Sequence, residues 1–140
     1  MKYLSVVAVL KDEALNLREW LDFHRAVGVE HFYLYDNGST DNTKELCEEY
    51  EDITYSYNTM DMCQMSCYFN AVTAYRDQSR WMAFIDLDEF LYSPKGDLKE
   101  QLKGFEQFPG IAVNEVFYGS NGHETRPPDG VLVNYTKRRK

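Results

Sequence analysis

The sequence predicts an α/β domain built on a largely parallel β-sheet. Short apolar runs rich in β-branched and aromatic residues alternate with longer segments of helical periodicity, which is the pattern of repeated β–α–β units. The first run, residues 3–10, is apolar almost throughout, as expected of a strand covered by helices on both faces. The 140 residues are enough for one domain, residues 1–140, with a hydrophobic core.

Three strands are predicted in the first half of the chain, at residues 3–10, 31–35 and 53–57. A helix is predicted from Ala14 to a stop at Gly28. Its apolar stripe contains Leu17, Leu21 and His24, so His24 is interpreted as a packed histidine rather than a catalytic one.

A turn and a short helix are predicted after the second strand. Asn37-Gly38 is a turn sequence, and a helix is expected over residues 43–50. Its N-cap is predicted to be Ser39, Thr40 or Asp41.

A long third helix is predicted over residues 63–78. Met65, Phe69 and Val72 recur at helical spacing, and a stripe of this composition is expected to face the core. Gln64 lies in the first turn, where a solvent-facing side chain and a side chain in a site are equally compatible with the pattern.

A fourth strand is predicted over residues 81–86, and two more strands are predicted near the end, at residues 111–118 and 131–135. Asp97 is expected to cap a short helix over residues 98–105. The polar, glycine-rich loop at residues 119–130 is long for a compact domain, and such loops are often functional.

Composition and charge exclude several classes of protein. The chain is 44% apolar with a net charge of −8, which argues for a folded protein and against a general nucleic-acid binder. The basic run at residues 137–140 is most often a solvated end and less often a patch for anionic lipid, which leaves peripheral membrane contact open. Cys47, Cys63 and Cys67 form no disulfide framework, so we expect free thiols and a cytoplasmic location, at the inner face of the membrane if the basic end binds lipid.

Asp86 and Asp88 end the fourth predicted strand, separated by one residue. On an extended backbone, residues two apart point to the same side. Two adjacent carboxylates repel each other unless a cation lies between them, and Mg²⁺ and Mn²⁺ prefer oxygen ligands. A lone Asp-x-Asp is also compatible with a charged strand end that leads into a turn.

Acidic or polar clusters follow three of the predicted strands. They are residues 11–13 (Lys-Asp-Glu), Asp36-Asn37 and residues 86–88 (Asp-Leu-Asp). Parallel strands place their carboxyl ends at one edge of a sheet, and ligands bind there where the strand order reverses. This coincidence favours a metal site over a charged strand end.

Motifs for several other nucleotide-dependent or hydrolytic enzymes are absent from the sequence. There is no P-loop, no Gly-x-Gly-x-x-Gly after the first strand, and no Gly-x-Ser-x-Gly elbow. The ligand that remains compatible with the sequence is a nucleotide diphosphate held by a metal ion and by loop carboxylates.

The order of these segments resembles the GT-A glycosyltransferases, specifically the family 92 type and its bacterial family-2-like relatives. The resemblance rests on blocks that cover nearly the whole chain: residues 11–13 with Leu17, Glu19 and Trp20; Gly28-Val29; residues 32–41; Gln64; Trp81 with residues 84–91; and residues 117–123.

The resemblance implies a Rossmann-like, mixed but mostly parallel sheet with flanking helices. It also implies transfer of a sugar from a nucleotide-sugar donor, usually a UDP-sugar, to a hydroxyl of a glycan, a lipid-linked molecule or another acceptor. The implied cofactor is Mn²⁺ or Mg²⁺.

The resemblance also assigns roles to individual residues. Asp88 matches the metal-binding aspartate of the family, and Asp86 matches the aspartate near the metal or the donor ribose. Asp36 matches the acidic residue that contacts the nucleoside, and Glu13 matches the one near the base and ribose. The remaining donor-binding residues are expected to be Lys11, Asn37 and Gln64.

The catalytic base is the least defined part of the predicted site. An inverting transferase needs a group that deprotonates the acceptor hydroxyl, and the candidates are Glu115, His123 and Glu124, with Asp129 a further late carboxylate. Such enzymes normally extend well past this region, so the sequence is either truncated, a reduced enzyme, or inactive alone. We expect truncation, because residues 134–139 have the pattern of the middle of a continuing segment.

Two other functions compete with the transferase. One is a non-catalytic nucleotide-sugar-binding module that lacks the base. The other is a nucleotidyltransferase, which ranks last because no glycine-rich basic loop follows the first strand.

Overall fold

The computed structural model describes residues 1–59, 63–128 and 130–138. It consists of two compact units, Met1–Lys103 and Gly104–Lys140, which are described in turn. Asp129 and the last two residues of the basic run at 137–140 lie outside the described residues.

The first unit contains a four-stranded sheet in the order β3-β2-β1-β4, with every neighbouring pair parallel. The strands are β1 (Lys2–Leu10), β2 (His31–Asp36), β3 (Ile53–Tyr57) and β4 (Ser79–Phe84). The helices are α1 (Ala14–Ala26), α2 (Thr43–Glu48), α3 (Gln64–Tyr75) and α4 (Leu98–Lys103). The predicted α/β fold with a parallel sheet is therefore confirmed.

Both faces of β1 are buried, which explains its continuous apolar run. Leu4, Val6 and Ala8 pack in one core cluster with residues of α1, α2 and α4. Val7 packs in a second cluster on the opposite face with Cys67 of α3. Successive side chains of a strand alternate between faces, so a strand between two helical layers is apolar at nearly every position. The buried exception is Ser5, whose hydroxyl is hydrogen-bonded to that of Ser79 at 2.7 Å.

The signals at the ends of α1 and α4 behave as predicted, but the predicted cap of α2 is wrong. Gly28 follows α1 with φ +103°, a conformation that glycine adopts without strain. The N-cap of α2 is Asn42 rather than one of the three candidates, although the side chain of Asp41 accepts a hydrogen bond from the N–H of Thr43 at 3.0 Å. Asp97 caps α4 by accepting the N–H of Glu100 at 2.9 Å.

The predicted core stripe of α3 is wrong. Met65 and Phe69 are 75% and 71% exposed, whereas Cys67 and Ala71 are the buried residues of this helix. The sheet face beneath α3 presents the bulky side chain of Tyr33, which leaves room for small residues on the helix. Helical spacing alone does not show which of two neighbouring stripes faces a sheet.

The second unit does not contain the two predicted late strands. Residues 111–117 have no strand pairing, and the pairing of Tyr118 is an isolated antiparallel bridge with Arg138. Val131–Asn134 forms a short helix, α5, rather than a strand. Short apolar runs do not distinguish strand from helix. The four-stranded sheet of the described chain is all-parallel.

The strand order reverses at β1. The chain adds β2 and then β3 on one side of β1, and it returns through α3 to place β4 on the other side. The carboxyl ends of β1 and β4 therefore flank the crevice where α/β sheets bind ligands.

Candidate functional site

A cavity of about 440 Å³ opens at the carboxyl ends of β1 and β4, at the reversal of strand order. Its lining comes from the ends of β1, β2 and β4 and from the start of α3: Val9, Leu10, Lys11, Glu13, Asn37, Cys63, Gln64, Asp86, Leu87 and Asp88. The structure thus brings together six of the predicted donor and metal residues, namely Lys11, Glu13, Asn37, Gln64, Asp86 and Asp88.

The acidic pair lies in a turn at residues 86–89 rather than on the strand, and this segment is called the acidic turn below. Strand β4 ends at Phe84, and the carbonyl of Asp86 accepts the N–H of Glu89 at 3.1 Å. The side chain of Glu89 in turn accepts the N–H of Asp86 at 3.0 Å. The predicted extended backbone is therefore wrong here, because Glu89 closes the segment into a turn. Both aspartates nevertheless line the cavity, while Leu87 between them is 5% exposed and packs in the core.

The two aspartates differ in how the protein holds them. Oδ1 of Asp86 accepts a hydrogen bond from Nε2 of Gln64 at 2.9 Å and another from the Tyr68 hydroxyl at 3.5 Å. Among the described residues, no side chain or backbone N–H donates to the carboxylate of Asp88. Asp88 therefore keeps both oxygens for an external ligand, and Asp86 has one oxygen fixed.

Tyr68 is a site residue that the sequence reasoning missed. It follows Gln64 by four residues and so lies on the same face of α3. Its ring also packs 5.0 Å from that of Phe84. The signal in the sequence that could have identified Tyr68 is its i, i+4 spacing from Gln64.

Asp36 is not brought into the cavity wall. Its carboxylate, 1% exposed, accepts the N–H of Ser39 at 2.7 Å and the Tyr55 hydroxyl at 2.8 Å. Burial and the nearby Asp36 raise the pKa of Tyr55, so its hydroxyl remains a donor. Asp36 thus holds the loop after β2 in place, and its contact with a nucleoside stays a prediction.

Two buried side chains of α1 support the segment that follows the acidic turn. The indole N–H of Trp20 donates to the carbonyl of Glu89 at 2.8 Å. Nε2 of His24 accepts the N–H of Leu91 at 3.1 Å. His24 is therefore neutral with its proton on Nδ1, which donates to the carbonyl of Trp20 at 2.7 Å. The interpretation of His24 as a packed histidine is confirmed, since its exposure is 0%.

The candidate bases belong to the second unit. Glu115, His123 and Glu124 are exposed there, and the His123 ring lies 5.9 Å from that of Tyr135. Their catalytic assignment stays a prediction.

The acidic turn fits a divalent cation that is shared with a phosphate ligand. The part of the chain that the structure describes contains no cluster of three acidic, histidine or cysteine side chains able to hold a metal. Asp86 and Asp88 together supply two carboxylates at one cavity. Mg²⁺-type sites commonly use one or two carboxylates and complete their coordination with substrate phosphates and water.

The three cysteines are free, as predicted, and the structure shows that all three are buried. Burial raises the pKa of Cys47 to about 12 and that of Cys67 to about 11, so these thiols are poor nucleophiles. Cys63 nevertheless lines the cavity. Within the described ranges, no helix has the length and apolarity needed to cross a membrane.

Comparison with known proteins gives a consistent family relationship. A glycosyltransferase family 92 protein of Oryza sativa subsp. japonica is 28% identical over 143 residues, which cover 96% of this chain and 24% of that protein. A family 92 protein of Arabidopsis thaliana is 29% identical over 153 residues, which cover 96% of this chain and 26% of the relative. A family 92 protein of Ricinus communis is 26% identical, with coverages of 96% and 26%.

The chain spans about a quarter of the length of these curated relatives. The family model for glycosyltransferase family 92 matches residues 5–139, nearly the entire sequence. The chain therefore belongs to glycosyltransferase family 92.

Proposed function

We propose that the chain binds the donor of a metal-dependent glycosyltransferase, which moves a sugar from a nucleotide sugar to an acceptor hydroxyl. The donor is a UDP-sugar, the cofactor is Mn²⁺ or Mg²⁺, and the acceptor is a glycan, a lipid-linked molecule or another hydroxyl compound. The observation that carries this proposal is the cavity at the reversal of strand order, which is lined by Asp86 and Asp88. Family membership supports the reaction class.

The charges of the cavity suit a diphosphate with a bound cation. Lys11 is the only cation among the described lining residues, beside the carboxylates of Glu13, Asp86 and Asp88. The amino-terminal end of α3 also borders the cavity through Cys63 and Gln64, and the positive end of a helix dipole favours phosphate.

The protein's own groups divide the task of holding the donor. Asp88 presents the free carboxylate to the cation, while Gln64 fixes the orientation of Asp86. Lys11 neutralises phosphate charge, and Glu13 accepts a hydrogen bond from a hydroxyl of the ribose. When bound, Mn²⁺ or Mg²⁺ stabilises the negative charge that develops on the leaving diphosphate.

Calorimetry of the chain with UDP tests this function. We expect one-site binding with saturating Mn²⁺. The affinity in EDTA should be at least about tenfold weaker, because the protein and the diphosphate both supply ligands to the same cation. UMP, which cannot chelate the ion with two phosphates, is the matched ligand control. Absence of UDP binding by the folded chain in Mn²⁺ would reject the proposal.

A second function is a non-catalytic nucleotide-sugar-binding module. It is favoured by one observation, that the described cavity lining has no histidine and its sole carboxylate outside the acidic turn is Glu13. Donor binding without sugar transfer or donor hydrolysis would indicate this function.

Replacing Lys11 with Met is expected to weaken UDP binding by about tenfold or more, since a charge-assisted hydrogen bond to phosphate is lost. Binding of uridine, which has no phosphate, should change little. Lys11→Arg retains the cation and serves as the control. Equal losses for UDP and uridine would contradict a phosphate contact.

A further inference from the structure

The backbone between the two charged cavity residues Lys11 and Glu13 is strained. Asp12 has a φ of +54°, in the left-handed region that residues other than glycine rarely adopt and that Asp and Asn tolerate best. Because Lys11 and Glu13 both line the cavity, the conformation of Asp12 determines how its two neighbours are presented.

Asp12 is bound to the loop after β2 through its main chain and its side chain. Its Oδ1 accepts hydrogen bonds from the N–H of Thr40 at 2.6 Å, from the Thr40 hydroxyl at 3.2 Å and from the N–H of Asp41 at 3.3 Å. Its own N–H donates to Oγ of Ser39 at 2.8 Å. The Thr40 N–H lowers the pKa of Asp12, which keeps the carboxylate ionised as an acceptor.

The segment after β2 also accepts hydrogen bonds from the two residues that follow Asp12. The Glu13 N–H donates to Oγ1 of Thr43 at 3.0 Å, and the Ala14 N–H donates to Oδ2 of Asp41 at 3.1 Å. Hydrogen bonds thus join three consecutive residues, the last of which begins α1, to partners 27 to 30 positions away in sequence.

This arrangement is not required to bury apolar surface. Asp12 is exposed, and its contacts are polar and lie at the rim of the sheet. A strained residue persists only where its surroundings fix it, and such residues cluster at binding sites.

We propose that Asp12 is a positioning residue for donor binding, which holds Lys11 toward the diphosphate and Glu13 toward the ribose by fastening the first loop to the loop after β2. The inference rests on the proposed function. Asp12 itself does not touch the donor.

Three variants distinguish the effect of the backbone conformation at Asp12 from the effect of its carboxylate. Asp12→Asn keeps an acceptor oxygen and tolerates the left-handed conformation, Asp12→Gly keeps only the conformation, and Asp12→Ala keeps neither. With saturating Mn²⁺, we expect the Gly and Ala variants to bind UDP about tenfold more weakly, and the Asn variant to stay within about threefold of the unaltered chain. Similar affinities across the series, with normal binding by the unaltered chain, would overturn the inference.

A double-mutant cycle with Lys11→Met distinguishes positioning from a general loss of structure. If Asp12 acts in part through Lys11, Asp12→Gly should weaken UDP binding by clearly less than tenfold once Lys11 is already Met, and the loss that remains is the part exerted through Glu13. A full tenfold loss in that background would show that Asp12 does not act through Lys11 and would reject this role.

Hydrogen exchange gives a measurement that does not depend on the ligand. In Asp12→Gly, the amides of Thr40 and Asp41 should exchange at least about tenfold faster than in the unaltered chain, and in Asp12→Asn they should change little. Unchanged exchange in Asp12→Gly would also reject the inference. Failure of the unaltered chain to bind UDP would instead reject the proposed function on which the inference depends.

Discussion

Replacing Asp88 with Asn is expected to lower the Mn²⁺-dependent affinity for UDP by at least about 100-fold. Loss of a group that only holds a metal ligand in place already costs about 10–100-fold, and Asp88 is itself the free carboxylate of the turn. Its carboxylate lines the cavity and accepts no hydrogen bond from the described protein. The substitution keeps the size of the side chain but removes its charge and replaces one acceptor oxygen with an NH2 group, so the turn closed by Glu89 should persist. Calorimetry with and without Mn²⁺ measures the effect.

Two control variants sharpen this experiment. Asp77→Asn makes the same change of charge at a side chain that is 95% exposed and does not line the cavity, and it should leave UDP affinity unchanged. Asp86→Asn should have a smaller effect than Asp88→Asn, because Gln64 and Tyr68 already engage one of its oxygens. UDP affinity that survives in Asp88→Asn would remove the acidic turn from the proposed metal site.

The residues at the sheet edge could be predicted because a parallel sheet brings the residues that follow each strand to the same edge. Lys11, Asn37 and Asp86 are far apart in sequence, yet each follows a strand, and parallel strands end at one edge. Their meeting at one cavity required only that the strands and their direction be right. The reversal of strand order between β1 and β4 was expected in general terms, but which strands flank it came from the structure.

The roles of individual side chains could not be predicted in this way. Asp36 is the last residue of β2 and Asp86 closely follows β4, but the carboxylate of Asp36 is already hydrogen-bonded to Ser39 and Tyr55. No sequence pattern reveals that a hydroxyl on the neighbouring strand will reach it. The exposed Met65 and Phe69 of α3 show the same limit for packing. Periodicity defines a stripe on a helix, while the size of the facing side chains decides which stripe is buried.

Trp20 and His24 connect the predicted core to the predicted site. The sequence places His24 on the apolar stripe of α1, and in the structure both His24 and Trp20 are buried. Their polar atoms, however, bind the main chain of Glu89 and Leu91, directly after the acidic turn. A buried polar atom needs a partner, and so this helix both packs against the sheet and holds the segment that follows the acidic turn.

The free energy of unfolding is expected to fall by about 3 kcal/mol as the pH decreases from about 6.5 to about 4, through His24 alone. Burial lowers the pKa of His24 from 6.5 to about 4, and each pKa unit corresponds to about 1.4 kcal/mol. The folded pKa lies below the unfolded one, so in this interval the unfolded chain binds a proton that the folded chain does not. The stability is therefore complete above pH 6.5 and is lost as the pH falls toward 4.

Burial of the imidazole is the main cause of the lowered pKa, and the hydrogen bond that the N–H of Leu91 donates to Nε2 of His24 also opposes protonation at that atom. A proton on Nε2 would remove this acceptor and place a charge in a fully buried position. Urea unfolding at pH values from 7.5 to about 4.5 would measure the slope, with the free energy extrapolated to water at each pH.

A His24→Gln variant is the control for the titration, because its amide supplies a donor and an acceptor but does not bind a proton. The variant should be less stable at pH 7.5 and should lose most of the slope between pH 6.5 and 4.5. Burial also lowers the pKa of His31, so a smaller slope of the same sign should remain. Asp12 and Asp52, whose pKa values are lowered by hydrogen bonds from Thr40 and Arg25, contribute mainly below pH 4.5. An unaltered slope in His24→Gln would show that the neutral, buried imidazole is not the group that links the stability of this fold to pH.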